Sequence, residues 1–145
     1  MDFLTSMQIS SSGLNVQRKR IEAISSNLAN IETTRTQEGG PYRRKDVVVT
    51  ALPLENEFGE AMQTAMGDNL KTAQVTQIIE DQNEPQLVYN PGHPDANELG
   101  YVSMPNVNTM TEMVNLMTAS RSFEANITAM NATKAMAQKA IDLGR

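Results

Sequence analysis

Residues 109–143 read TMTEMVNLMTASRSFEANITAMNATKAMAQKAIDL, and their spacing decides the fold. Met113, Leu116, Ser120, Phe123, Ile127, Met130, Lys134, Ala137 and Ile141 recur in alternating steps of three and four. That spacing puts them on one helix face with coiled-coil periodicity. At a rise of about 1.5 Å per residue the run predicts a rod of roughly 50 Å. Thr109 and Glu112 stand at capping-box spacing just after Pro105, and Gly144 supplies a terminator. A helix this long exceeds what the core of a 145-residue chain can cover. Its stripe needs a second helix, neighbouring subunits, or both. The small Ser120 and Ala137 permit close approach, and the many Met residues adapt to unlike surfaces.

Working back along the chain, residues 5–31 form the second helical pattern. Thr5 and Gln8 have capping-box spacing. Met7, Leu14, Ile21 and Leu28 repeat every seven residues, with Ile24 and Ile31 at intervening turns. Ser10 and Gln17 interrupt this stripe, and Gly13 inside the run costs roughly 1 kcal/mol relative to Ala. Such a helix is not stable alone in water. Gly39-Gly40-Pro41 is a firm break in regular structure beyond it.

Between the helices the period changes. Tyr42 to Leu52, with Val47-Val48-Val49-Thr50, reads as a strand by its β-branching, and Ala73 to Ile79 as a second. Leu87-Val88-Tyr89 and Tyr101-Val102-Ser103-Met104 are short extended segments around an Asn90-Pro91-Gly92-His93-Pro94 turn. The pattern predicts a small antiparallel sheet or paired hairpins. Residues 54–70 are acidic, with Phe58, Met62 and Met66 at helical spacing that Gly59 and Gly67 weaken, and are expected to form a mobile loop carrying one or two helical turns. The expected class is α+β: a terminal helix in 1–34, a small β-rich middle over 35–105, and a terminal helix in 106–145, the two long helices packed as a coiled coil.

Charge follows the same division. The chain's net charge is −5, which argues against a nucleic-acid binder. Residues 1–31 and 109–145 are nearly neutral, while the part between holds five bases and twelve acids. Neutral ends pack against copies of themselves with little repulsion. The basic clusters Arg18-Lys19-Arg20 and Arg43-Arg44-Lys45 read as solvated or partner-facing edges. There is no Cys, so disulfides and thiolate metal sites are excluded. No run of 18 apolar residues spans a bilayer. The start Met1-Asp2-Phe3-Leu4 lacks the basic region of a cleavable signal.

Catalytic chemistry finds little footing. His93, the one imidazole, sits in a Pro-flanked turn without the partners a zinc site requires. Glu55, Glu57 and Glu60 read as a solvated face rather than a glycosidase pair. Gly39-Gly40-Pro41 lacks the Gly-Lys-Ser/Thr of a phosphate loop. The chain is therefore expected to be no enzyme and to need neither cofactor nor metal. Three readings remain from the residues: an assembling structural subunit, a soluble helical-hairpin adaptor or chaperone of a secretion system, and a membrane-surface helix over residues 1–31.

Several stretches carry a resemblance. Ser12-Gly13-Leu14 through Arg20, Ser26-Asn27-Leu28-Ala29-Asn30-Ile31 and Thr33-Thr34 resemble the N-terminal signature of the bacterial flagellar rod, hook and hook-filament axial proteins. Asn106-Val107-Asn108, Glu112-Met113-Val114 and Ala119-Ser120-Arg121-Ser122-Phe123-Glu124-Ala125-Asn126 resemble the signature at their other end. Tyr42-Arg43-Arg44-Lys45, Val88 through Asn97 and Gly100-Tyr101-Val102 are similar to the proximal-rod branch in particular. Phe123 stands where many relatives have Tyr. The resemblance implies a structural subunit of the flagellar basal-body rod that transmits torque and forms part of the export-channel assembly. It implies a periplasmic rod, reached without signal cleavage through the flagellar type III export apparatus. Implied partners are other copies, FlgB, FlgF and FliE. The residues carried over as assembly contacts are Asn27, Asn30, Asn106, Glu112, Arg121, Glu124 and Asn126. From the helical stripes Met7, Leu14, Ile21, Ile24, Leu28, Met113, Leu116, Ser120, Phe123, Ile127 and Met130 join them.

Overall fold

The computed structural model describes residues 3–53 and 71–144; the expected loop over 54–70 lies outside them. Helix α1 spans Phe3–Ala29, strands β1 to β4 span Lys45–Pro53, Lys71–Glu80, Gln86–Tyr89 and Tyr101–Met104, and helix α2 spans Thr109–Leu143. The class is α+β, two long terminal helices with a small antiparallel strand region between them. The strands form two separate two-stranded sheets, β1–β2 and β3–β4, so the paired-hairpin form of the expectation is the one adopted.

Both helix starts differ from the capping boxes read in the sequence. Helix α1 is already formed at Phe3, which leaves Thr5 inside it. At α2 the cap is Asn108, whose Oδ1 accepts the Thr111 N–H at 3.1 Å. An Asn one residue before the helix meets an orphan N–H more directly than Thr109 does. Glu112 is thereby released for other work. At its far end α1 stops at Asn30. The Asn30 amide folds back to the Ser26 carbonyl at 2.8 Å, and its Oδ1 accepts from Thr33 Oγ1 at 3.2 Å. The Ser26 carbonyl also accepts the Asn30 backbone N–H at 3.1 Å, so this side chain adds a second bond to the last turn and ties it to Thr33.

Contacts divide the chain into two compact units. The first gathers Met1–Lys19, Val48–Gln77 and Ser120–Arg145. Val16 is its buried apolar residue among those described. Here α1 and α2 approach closely: a Cβ on Gly13 would stand 3.0 Å from Asn126 Nδ2. The Ser12 hydroxyl donates to the Ile9 carbonyl at 2.7 Å and accepts the Ala73 N–H at 3.4 Å. Contacts of Thr50 with Thr76 and of Leu52 with Thr72 run in opposite chain directions, so β1 and β2 pair antiparallel.

The second unit gathers Arg20–Val47 and Ile78–Ala119 and holds most of the core. Ala23, Ile24, Tyr42, Val47, Val102, Val107 and Ala119 are buried there. Gly39 and Gly40 both take positive φ, which only glycine adopts without strain. They turn the chain so that Thr36 N–H meets Gly40 O and Tyr42 N–H meets Thr33 O. Strands β3 and β4 pair antiparallel, with Val88 opposite Val102 and Tyr89 opposite Tyr101.

Candidate assembly site

Asn27 is fully buried and Glu112 is 1% exposed. They lie together in the second unit, 85 residues apart in sequence. The Asn27 amide uses every bond it has. Its Nδ2 donates to the Lys45 carbonyl at 2.9 Å and to Glu112 Oε2 at 3.2 Å. Its Oδ1 accepts the Lys45 N–H at 2.8 Å and the Tyr42 hydroxyl at 3.0 Å. Two donors and two acceptors are the full capacity of an amide. Because Tyr42 spends its proton on Asn27, the Ser26 hydroxyl at 3.1 Å donates to the Tyr42 oxygen.

Glu112 is closed from its other side by Arg44, whose Nε donates to Oε1 at 2.9 Å. The Arg44 side chain is 24% exposed and also reaches Asp46 at 3.3 Å. Partial burial works against the charged guanidinium, but the bond to Glu112 and its charge, then those of Asp46, outweigh it. The Arg44 pKa is raised above its ordinary value. A buried ion pair stripped of water is stable only when its remaining lone pairs are satisfied, and here Asn27 takes the second carboxylate oxygen. The cluster joins α1, the start of β1 and α2 within one unit. By sequence Arg44 belongs to a solvated or partner-facing edge; folding turns it inward because Glu112 offers a buried charge to match.

The helical stripes fall on several surfaces. Ile24 is buried, while Met7, Leu14, Ile21 and Leu28 are half-buried. The most buried line of α1 runs through Val16, Ala23, Ile24 and Asn27, beside the heptad stripe. Val16 and Ala23 escaped notice because their small apolar side chains stand among polar residues. On α2, Leu116, Ser120, Phe123, Asn126 and Met130 are half-buried, whereas Met113, Arg121, Glu124 and Ile127 are exposed. Asn30 and Asn106 are half-buried, and Asn106 accepts from Gln86 Nε2 at 3.2 Å. Glu112 and Ala119 point inward, which turns another row outward. Met110, Met113, Val114 and Met117 are between 47% and 73% exposed, at steps that form one stripe. Farther along, Ile127, Met136, Ile141 and Leu143 are also exposed. In the first unit, an open groove of about 670 Å³ has Leu14 and Phe123 in its wall, with Gln8, Asn15 and Arg18 beside them.

Residues 7–36 match the family described as "Flagella basal body rod protein", and residues 98–143 match "Flagellar basal body rod FlgEFG protein C-terminal". Flagellar basal-body rod protein FlgC of Bacillus subtilis is 44% identical over 147 residues, covering 97% of each chain. The protein of the same name from Salmonella typhimurium is 41% identical over the full length of both, and that of Borreliella burgdorferi 37% over 97% of each. The chain belongs to the FlgC family of flagellar basal-body rod proteins. Its two matched segments lie on opposite sides of the close contacts described above. Asn27 and Gly13 fall in the first, and Glu112 and Asn126 in the second. In this FlgC-family chain the two terminal signatures therefore meet inside the fold, at the Asn27–Glu112 bond and at the Gly13–Asn126 approach. Arg44 and Tyr42, which complete the cluster, come from the stretch between them. No described helix is long and apolar enough to cross a membrane.

Proposed function

We propose that the chain is a structural subunit of the bacterial flagellar proximal rod, carrying torque and contributing to the wall of the export channel. The observation that carries this reading is the exposed apolar stripe of α2, on a chain whose full-length relatives are rod proteins. Met110, Met113, Val114 and Met117 are uncharged and adaptable, and water disfavours leaving them bare. In the rod they pack against neighbouring helices, so load passes through side-by-side seams that only the assembly completes. Residues 1–34 and 106–145 supply the rod-forming ends and 35–105 the inserted middle. Other copies, FlgB, FlgF and FliE are the proposed neighbours, reached in the periplasm after uncleaved passage through the type III export apparatus. A family of structural rod proteins gives no reason to assign an enzymatic activity. The adaptor reading finds no support among the relatives.

Ile127→Asp tests the seam. Ile127 is 38% exposed, so the isolated chain tolerates the change, whereas a buried intersubunit seam does not accept an unpaired carboxylate. In cells lacking the native chain, the variant should be exported yet absent from purified basal bodies, and the cells non-motile. Normal motility would overturn the placement of the seam.

A further inference from the structure

The β3–β4 hairpin presents a second surface, of different chemistry. Val88 and its partner Val102 share one face of the ribbon. Val102 is 1% exposed and points into the unit, while Val88 on the outer strand is covered only in part, at 43% exposed. Side chains alternate along a strand, and the opposite face carries Leu87, Tyr89 and Tyr101. Leu87 and Tyr89 are each 65% exposed. The two tyrosine rings meet edge to face at 5.3 Å. A Cβ on Gly100 would lie 2.9 Å from Tyr89 Cε2, so the ring rests against bare backbone. In the connecting loop, Leu99 is 75% exposed.

This surface is held rigid. Asn97 Oδ1 accepts the N–H groups of Leu99 and Tyr101 at 3.0 and 2.8 Å. Asn97 N–H and Gly100 N–H close the turn at 2.9 Å each, and Thr34 Oγ1 donates to Asp95 Oδ2 at 2.7 Å. A loop ordered in advance loses little entropy on binding, and fixed aromatic and aliphatic side chains are what an interface centre uses. The segment that carries this face has charge of one sign. Residues 78–119 contain six carboxylates and no Lys or Arg. Glu112 is buried with Arg44 and Glu80 meets Lys45, while Asp95 and Glu98 stand in the loop itself.

We infer that this face docks a polypeptide other than a second copy of the chain, one presenting aliphatic side chains ringed by Lys or Arg. A second copy meeting it face to face would oppose Asp95 and Glu98 to themselves. Three bases of the same unit are already engaged: Arg44 with Glu112 and Asp46, Lys45 with Glu80, and Arg43 with Gln82. Arg35, exposed beside Thr34, is a single base against Asp95 and Glu98. Two exposed leucines beside the tyrosines fit a protein surface better than a sugar, which an aromatic platform alone would serve.

The test places a photo-activated cross-linking residue at Leu99, and separately at Tyr89, in the full chain expressed in flagellated cells. The attached segment is then identified by peptide mapping. The expected adduct joins a different polypeptide at an apolar stretch flanked by Lys or Arg. Its yield should fall at least about threefold in Glu98→Lys or when salt is raised tenfold. An adduct between two copies, an adduct to glycan, no adduct, or a yield indifferent to Glu98→Lys would each overturn the inference. The inference rests on the rod reading only for the choice of cells. Recovery of the probe-bearing chain in basal bodies is read separately, so failure of the docking face and failure of the rod assignment are distinguishable.

Discussion

Asn27 shows how a single side chain can tie a fold together. Its amide bonds the backbone of Lys45 through both N–H and carbonyl, as a neighbouring strand would, while also meeting Tyr42 and Glu112. Removing it strands several buried groups at once, and an unmade buried bond costs more than a made one contributes. Asn27→Ala should destabilise the purified chain by about 2–4 kcal/mol in urea denaturation. Asn27→Asp, which sets a second carboxylate against Glu112, should cost more. Arg44→Met leaves Glu112 buried without its cation, a change that typically costs about 3–5 kcal/mol. Combining it with Glu112→Leu should recover much of that loss, and purely additive effects would mean the pair is not coupled. The pH sign is set by the raised Arg44 pKa. A cation stabilised in the fold contributes fully below its unfolded value and loses this only in alkali above the folded one. Midpoints recorded between about pH 7 and pH 9 should therefore show no loss from Arg44.

Among the elements, the contact of α1 with α2 in the first unit depends on a glycine. By sequence Gly13 is a cost to the helix, and for an isolated helix it is. Opposite Asn126 the missing Cβ becomes room. Gly13→Ala places a methyl 3.0 Å from Asn126 Nδ2, the movable end of a side chain. The clash then roughly offsets a gain in helix propensity of about 1 kcal/mol. Gly13→Leu has no such escape and must push the helices apart. Alanine should thus leave basal-body incorporation near normal while leucine abolishes it, measured by the chain's recovery in purified basal bodies. Equal incorporation of both would show that the close approach is not used in the rod.

Taken as a whole molecule, the chain distributes its core unevenly. The second unit has a buried apolar cluster and a satisfied polar network, whereas among the described residues of the first unit Val16 alone is a buried apolar side chain. Local stability tracks buried contacts. Hydrogen exchange on the free subunit should be slow around residues 23–27, 42–47 and 102–119, and fast over 3–19 and 120–144. Assembly should slow the latter two segments. Slow exchange throughout them in the monomer would contradict a seam completed by neighbours.

Both long helices, the four extended segments and the helix-breaking Gly39-Gly40-Pro41 were legible from the sequence, because period and backbone stereochemistry are local properties. The family resemblance was legible as well, since it rests on residue identity. Capping was less so. Thr109 has the right neighbours for a capping box, but Asn108 is closer to the orphan N–H, and Glu112 is held elsewhere by a buried charge pair. The side toward which each stripe turns was a matter for tertiary structure alone. Glu112 and Met113 are adjacent in sequence, yet one is buried and the other exposed, because Arg44 and Asn27 reach it from segments about 70 and 85 residues away. A periodic pattern identifies the faces of a helix; only the partners brought across the fold decide which of them stays dry.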